Sequence, residues 1–380
     1  MLLLYTDLII KISNELSDKD KVTLSATSTQ MNKLKFVFTY RERIGVWIID
    51  HLPYFDNFES VIVSDNNKKC PKNAKLIYYE TNSNKNFWKL LFNYEELLPQ
   101  NITHLTFDRK FNKPIKGLIP KTVTHLTFGD YFDQTVDDCI PSSVTHLKFG
   151  FHFQQPLKKV LPSSILHLTF GGRFNCSIKD CIPPSVTYLK FGVWFNQPVK
   201  NYIPQSVTHL KFDDVFNQSI RWIPTSVTHL KLGRGFRKPI KGYISAVTHL
   251  KLNSLCATLI DSIPLSVTHL TFGDDFNEPI DRCIPSAVTH LTFGLVFSKQ
   301  IKKESIPLSV THLTFGYRFN KSIQYIPQSI THLQFGHCFN QSINNKIPST
   351  IQKIILPWRY NIEIEKKLEL FVERVHTANF

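Results

Sequence analysis

One phrase returns every 20 to 22 residues between residues 98 and 350: Ile-Pro-x-Ser-Val-Thr-His-Leu-x-Phe-Gly-x-x-Phe-Asn-x-x-Ile. Eleven histidines mark it, at His104, His125, His146, His167, His209, His229, His249, His269, His290, His312 and His332, and Tyr188 fills the one remaining slot. A unit this short cannot bury its own apolar face. It must stack on its neighbours, so the array grows rung by rung rather than as separate globular domains.

The unit predicts its own shape. Thr-His-Leu-x-Phe alternates polar and apolar residues, the pattern of a short strand with Leu and Phe inward. Leucine fills the first inward slot in every unit, from Leu105 to Leu333. The second is Phe except at Leu232 and Leu252, and another inward aromatic follows the turn, from Phe111 to Phe339, with Cys256 the exception. These files take up most of the 30 phenylalanines, so the aromatics read as core and not as a platform for nucleic-acid bases. The slot after the strand is mostly Gly, otherwise Asp108, Asp213 or Asn253. Those residues tolerate positive φ, so a left-handed turn is expected there. Proline then fixes an extended return, and the Asn after the turn Phe is expected to bond its local backbone. Strand, turn and extended return at this period describe a mainly β protein. The expected fold is a parallel β-solenoid of the leucine-rich-repeat kind, about twelve units long, with strands about 4.8 Å apart.

Such an array needs closed ends. Residues 358–380 are expected to cap it with a helix, because Ile364, Leu368, Phe371 and Val375 share a helical face behind Asn361. Residues 98–357 form the array, and 45–97 read as a worn N-terminal cap, with Phe58 to Val63 and Pro71 to Tyr79 as degenerate rungs. Residues 1–44 do not repeat. Apolar spacing predicts three short helices there, with too much apolar surface for so small a segment to bury alone.

The apolar start is interrupted by Asp7 and Lys11 without a basic segment before it, so no secretory signal is expected. Seven cysteines without a Cys-x-x-Cys pair point to reduced thiols and a cytoplasmic setting. No phosphate loop, nucleophile elbow or metal quartet stands out, and a dozen equal copies are the opposite of one catalytic constellation. No enzyme, cofactor or metal is expected.

Two files should face outward on the concave side of the sheet. One is the histidines. They read as a structural stack bonded to neighbouring Thr, as a target surface (His146, His167, Tyr188, His209, His229 and His249), or as a metal array lacking completing ligands. Stacked imidazoles disfavour protonation, so stability should fall between about pH 6.5 and 5. The other file carries Lys148 and then Lys190, Lys211, Lys231 and Lys251 on four adjacent rungs. With a net charge of +15, these lysines are either solvated surface or a site for an acidic target. A basic face for nucleic acid is a third reading, and it predicts affinity that falls steeply with salt.

Residues 4–20, Leu-Tyr-Thr-Asp-Leu-Ile-Ile-Lys-Ile-Ser-Asn-Glu-Leu-Ser-Asp-Lys-Asp, resemble an F-box. Leu4, Asp7, Leu8, Ile9, Ile12, Leu16, Asp20, Leu24 and Leu34 fit its pattern, while Tyr5, Ser13, Lys21, Ser28 and Met31 depart from it. The phrases Phe-Asn-x-Pro-Ile and Ile-Pro-x-Ser-Val-Thr-His-Leu are similar to the FNIP repeats of amoebal and giant-virus proteins, where an F-box often precedes them. The resemblance implies a substrate receptor of a cullin–RING ubiquitin ligase. Leu4, Tyr5, Leu8, Ile9, Ile12, Leu16 and Leu24 would hold a Skp-type adaptor, and the solenoid would hold a target protein. A stand-alone scaffold or inhibitor, with the helices serving only as a cap, is the alternative.

Overall fold

The computed structural model describes residues 2–63, 70–80, 101–157, 160–253, 262–281 and 283–375. The chain divides into two compact units, Met1–Gln155 with Val160–Ile165, and Pro156–Lys159 with Leu166–Phe380.

The first unit opens with three helices, α1 (Leu2–Ser13), α2 (Asp18–Ser25) and α3 (Thr29–Asn32), followed by a 3-10 turn at Lys33–Phe36. Ser17 starts α2 by accepting the Asp20 N–H at 3.1 Å, the usual role of a helix-capping serine. Lys21 is buried and donates to Asp18 Oδ1 at 3.0 Å and to the Thr39 carbonyl at 2.8 Å. Asp18 also accepts the Glu42 N–H at 2.6 Å, fastening α2 to the chain that enters the sheet. The sheet begins with β1 (Ile44–Gly45), a single helical turn α4 (Val46–Ile49), then β2 (Ser60–Val63) and β3 (Leu76–Glu80). β4 (His104–Thr106), β5 (His125–Thr127) and β6 (His146–Lys148) follow. Each pairs in parallel with the next, with Val61 opposite Ile77, Tyr79 opposite Leu105, and Leu105 opposite Leu126. Strands at 60–63 and 76–80 therefore stand as rungs ahead of the first full repeat.

The second unit continues the pattern with β7 (His167–Thr169), β8 (Tyr188–Lys190), β9 (His209–Lys211), β10 (His229–Leu232) and β11 (His249–Leu252). β12 (His269–Phe272), β13 (His290–Thr292), β14 (His312–Thr314), β15 (His332–Gln334), β16 (Lys353–Pro357) and β17 (Val372–Val375) complete it. All pairs are parallel, and from β9 to β15 His lies on His and Leu on Leu. The inward Leu and Phe of each rung are essentially inaccessible. The rings stack both within a rung (Phe212 on Phe216, 3.7 Å between centroids) and between rungs (Phe191 on Phe212, 5.4 Å).

Polar side chains lock rung to rung. Ser206 Oγ donates to the Val186 carbonyl of the preceding rung at 2.7 Å, and the same bond recurs from Ser226 to Val207 and from Ser329 to Val310. Asn196 Oδ1 accepts the backbone N–H of Asn217 at 2.9 Å and the Gln218 amide at 3.1 Å, both on the following rung. This corrects the local role expected of the asparagines. They bridge about 21 residues, because stacking brings the next rung's N–H to 2.9 Å from the side-chain oxygen. Asn196→Ala is expected to cost about 1 kcal/mol in chemical denaturation. Asn196→Asp should retain most of that, since Asp133 makes the same bond to the Gln154 N–H at 2.8 Å.

Two further expectations need correction. The glycines after the strands do not turn left-handed. Positive φ occurs one turn later, at Gly117, Gly242, Asp138, Asp180, Asn201, Glu304 and Asn345. The post-strand glycines answer a close approach instead, since a Cβ on Gly150 would lie 1.8 Å from the Gly129 carbonyl oxygen. The C-terminal helix shrinks to one turn, Lys366–Glu369, and Val372–Val375 becomes β17, paired with β16 from Ile354↔Val372 to Pro357↔Val375. The open edge of β16 offers a row of backbone hydrogen bonds, and two β-branched valines suit a strand better than a helix. A Lys353–Glu373 ion pair at 2.7 Å joins the two strands.

Candidate interaction surfaces

The face of the sheet opposite the Leu and Phe files is built from three side chains per rung: Thr, His, and the residue between Leu and Phe. In the second unit the imidazoles stack ring on ring from His209 through His229, His249, His269, His290 and His312 to His332, with centroids 4.0–4.2 Å apart. Tyr188 continues the file less tightly, 6.2 Å from His209 and 5.4 Å from His167. In the first unit Tyr78, His104, His125 and His146 form a shorter stack at 4.0–4.2 Å.

Each imidazole from His209 to His332, and each of His104, His125 and His146, is held by its own-rung threonine. Thr228 Oγ1 lies 2.9 Å from His229 Nδ1, and the same contact recurs at Thr248–His249. The Thr208 carbonyl accepts the Thr228 and His229 N–H groups at 3.0 Å each, and the Thr228 hydroxyl stands 3.4 Å from the same oxygen. The single hydroxyl proton serves either that carbonyl or Nδ1, and the tautomer of the ring follows that choice. In either tautomer Nδ1 is engaged by the threonine, which leaves Nε2 as the ring nitrogen open to a partner.

Burial in the stack holds His209, His269, His290 and His312 below the ordinary imidazole pKa, and repulsion from neighbouring imidazoles adds to it. Lys211 contributes at His209. His229 is pushed furthest, to about 4, by burial first and then by His209, His249, His269 and Lys211. In the first unit His104 is lowered by burial, Arg43 and His146. These six rings are therefore neutral near pH 7, and protonating stacked neighbours is disfavoured.

The lysines fall where the register puts them. Lys190 lies opposite Lys211, Lys211 opposite Lys231, and Lys231 opposite Lys251, in one file across β8 to β11. Lys231 pairs with Asp213 at 2.9 Å, and Lys211 sits over the Tyr188 ring at 5.0 Å. Of the residues expected to bind a target, Tyr188, His209, His229, His249 and these four lysines share the face of the second unit with His167 at its start. His146 and Lys148 stand on the first unit. The face ends in a depression of about 260 Å3 between His312, His332, Gln334 and Lys353. Among the described residues, no group of three His, Cys, Asp or Glu side chains is arranged to hold a metal ion. No disulfide forms there either.

The family model for the FNIP Repeat matches residues 95–131, 111–152, 153–194, 195–235, 216–254, 257–295 and 297–338, well over half of the chain. The chain belongs to the FNIP-repeat family. Among solved structures the FNIP-repeat protein is similar to CroV588, described as a novel circular LRR protein structure, with 29% identity and a TM-score of 0.54. The likeness covers 82% of this chain and 58% of CroV588, so the FNIP-repeat protein spans less than two thirds of that neighbour. No protein of curated function matches it.

The N-terminal segment of the FNIP-repeat protein carries a second surface. Leu8 and Ile12, one turn apart on α1, are both about half exposed, as are Val22 on α2, then Phe36, Val37, Trp47 and Ile48. Ile9, Leu16 and Leu24 are partly covered. Leu4 and Tyr5 lie on α1, but their side chains fall outside the described residues. Ser13 and Lys21, where the chain departs from the F-box pattern, are buried polar residues. Sequence periodicity alone marked Leu8 and Ile12 as an apolar stripe. It missed Trp47 and Ile48, which belong to a four-residue helical turn too short to show a period. Among the described residues no helix is long and apolar enough to cross a membrane.

Proposed function

We propose that this FNIP-repeat protein is an interaction adaptor with two surfaces. The N-terminal helices dock a Skp-type adaptor of a cullin–RING ubiquitin ligase, and the outward sheet face of the repeats receives a target protein. The observation that carries the reading is the set of half-exposed apolar side chains on residues 8–48. A small helical segment gains by burying such a surface against a helical partner. The repeats supply the other half, because a β-solenoid offers a broad regular face and no single catalytic constellation. The match to the FNIP repeat family and the likeness to a leucine-rich-repeat solenoid are consistent with a protein-interaction scaffold.

The test is capture of a purified Skp-type adaptor by the full chain. Leu8→Asp with Ile12→Asp changes two exposed positions, so folding should be unaffected while capture falls at least tenfold, about 1.4 kcal/mol or more. Capture that persists in this variant sinks the proposed docking site. Failure of the wild-type chain to capture the adaptor favours the stand-alone scaffold. Lys21 gives that second reading its physical basis. A buried Lys–Asp pair where an F-box has an apolar residue makes the helices a well-fastened cap in their own right.

A further inference from the structure

Resting on the reading of the repeat face as a recognition surface, we infer that β8 to β11 of the second unit bind an extended, carboxylate-rich polypeptide segment of a partner protein, laid across the strands along the Lys190–Lys211–Lys231–Lys251 file.

Three observations converge on that chemistry. First, the four ammonium groups stand in one file on adjacent parallel strands. Like charges one strand spacing apart repel, and an uninterrupted run of them is stable when an anion lies between. Among the described residues the only ion pair within the file is Lys231–Asp213. That pair shows that a carboxylate reaches a lysine of the file at 2.9 Å.

Second, the neighbouring file offers polar ring edges. Nδ1 of each imidazole is engaged by its threonine, so Nε2 is the ring nitrogen left for a partner. The threonine hydroxyls are used in the same contacts. The strip therefore presents imidazole edges beside ammonium groups, and its complement is a polar chain that carries negative charge.

Third, the strip suits a polypeptide better than a nucleic acid. From His209 to His269 both faces of each internal imidazole are covered by the next ring at 4.0 Å, leaving only ring edges outward. The Tyr188 ring, at the head of the file, is overlain by Lys211. An unpaired base needs an open aromatic face to stack on, and the strip has none. The file covers three strand spacings, about 14 Å, which an extended segment of about five residues spans.

The experiment is fluorescence anisotropy of the full chain with a labelled hexaglutamate peptide in about 50 mM salt, where such contacts are least screened. Saturable binding that weakens as salt rises is expected. Lys190→Glu with Lys251→Glu, which leaves the Lys231–Asp213 pair intact, should weaken binding at least tenfold. Lys190→Gln with Lys251→Gln should weaken it less, and Lys321→Glu, at an exposed turn position of the second unit outside the strand files, should leave it within twofold. Unchanged circular dichroism of the variants excludes misfolding as the cause of a loss. The inference is overturned by any of three results: no saturable binding, equal binding by the doubly reversed variant, or tighter binding of an oligonucleotide of equal charge. None of these readouts involves the N-terminal helices, so this inference and adaptor docking fail separately.

Discussion

Gly192→Ala should destabilise the second unit by about 3 kcal/mol or more, while Gly242→Ala should cost about 1 kcal/mol. Both are glycines in the same array, and only their surroundings separate them. A Cβ on Gly192 would lie 2.0 Å from the Gly171 carbonyl oxygen and 2.8 Å from the Gly172 Cα. Both obstacles are backbone, so no rotamer change relieves the clash and the two rungs must part. Stability in a stacked array depends on neighbouring interfaces, so a parted rung also weakens cooperation between the segments on either side. Gly242 has φ of 78° and nothing within 4 Å of its missing Cβ. Only backbone strain opposes a side chain there. The equivalent slot holds Asp180, Asn201 and Asn345 at φ of 56–58°, so Gly242→Asn should be nearly neutral. Thermal unfolding of the three variants checks the ranking, at about 2–4 °C per kcal/mol. A larger loss in Gly242→Ala than in Gly192→Ala would refute the close-approach explanation.

Acidification is expected to cost stability in a window set by the imidazole stack. The folded pKa values of His209, His229, His269, His290 and His312 lie below the usual imidazole value. As pH falls below about 6.5, the unfolded chain takes up protons before the folded one, which favours unfolding. Stability is intact above that pH and declines down to the folded values, about 4 for His229. The rings are partly open to solvent, so each contributes far less than its full shift. At about 0.5 kcal/mol per ring, the five together give about 2–3 kcal/mol. The midpoint of thermal unfolding should therefore be about 5–10 °C lower at pH 4.5 than at pH 7.5. Replacing His209, His229 and His269 by Gln should flatten that dependence. A midpoint that is the same at both pH values, or a dependence untouched by the glutamines, removes the stack as its cause.

Much of this was legible beforehand because the repeat is its own alignment. Leu105 to Leu333 and the two Phe files announced an inward face, and the stacked register of His229 on His249 follows from their equal spacing. The Lys190–Lys251 file was visible for the same reason. Other features were not. Asn196 read as a turn residue, since its partner, the Asn217 N–H, is a full rung away and no local pattern points to it. Gly192 carried the usual signal of positive φ, whereas its cause is the Gly171 carbonyl of another rung. Val372 and Val375 sat on a plausible helical face, and only the open edge of β16 made them a strand.

By itself the sequence determined the period, the direction each strand side chain faces, and the identity of the files on both sides of the sheet. Alternation and repetition are local, and parallel stacking merely copies them. Tertiary structure alone decided what lies between rungs: the asparagine bridges, the glycine approaches and the terminal strand. Each depends on distances of a few ångströms between residues some twenty positions apart. Such distances exist only once the rungs have closed on one another.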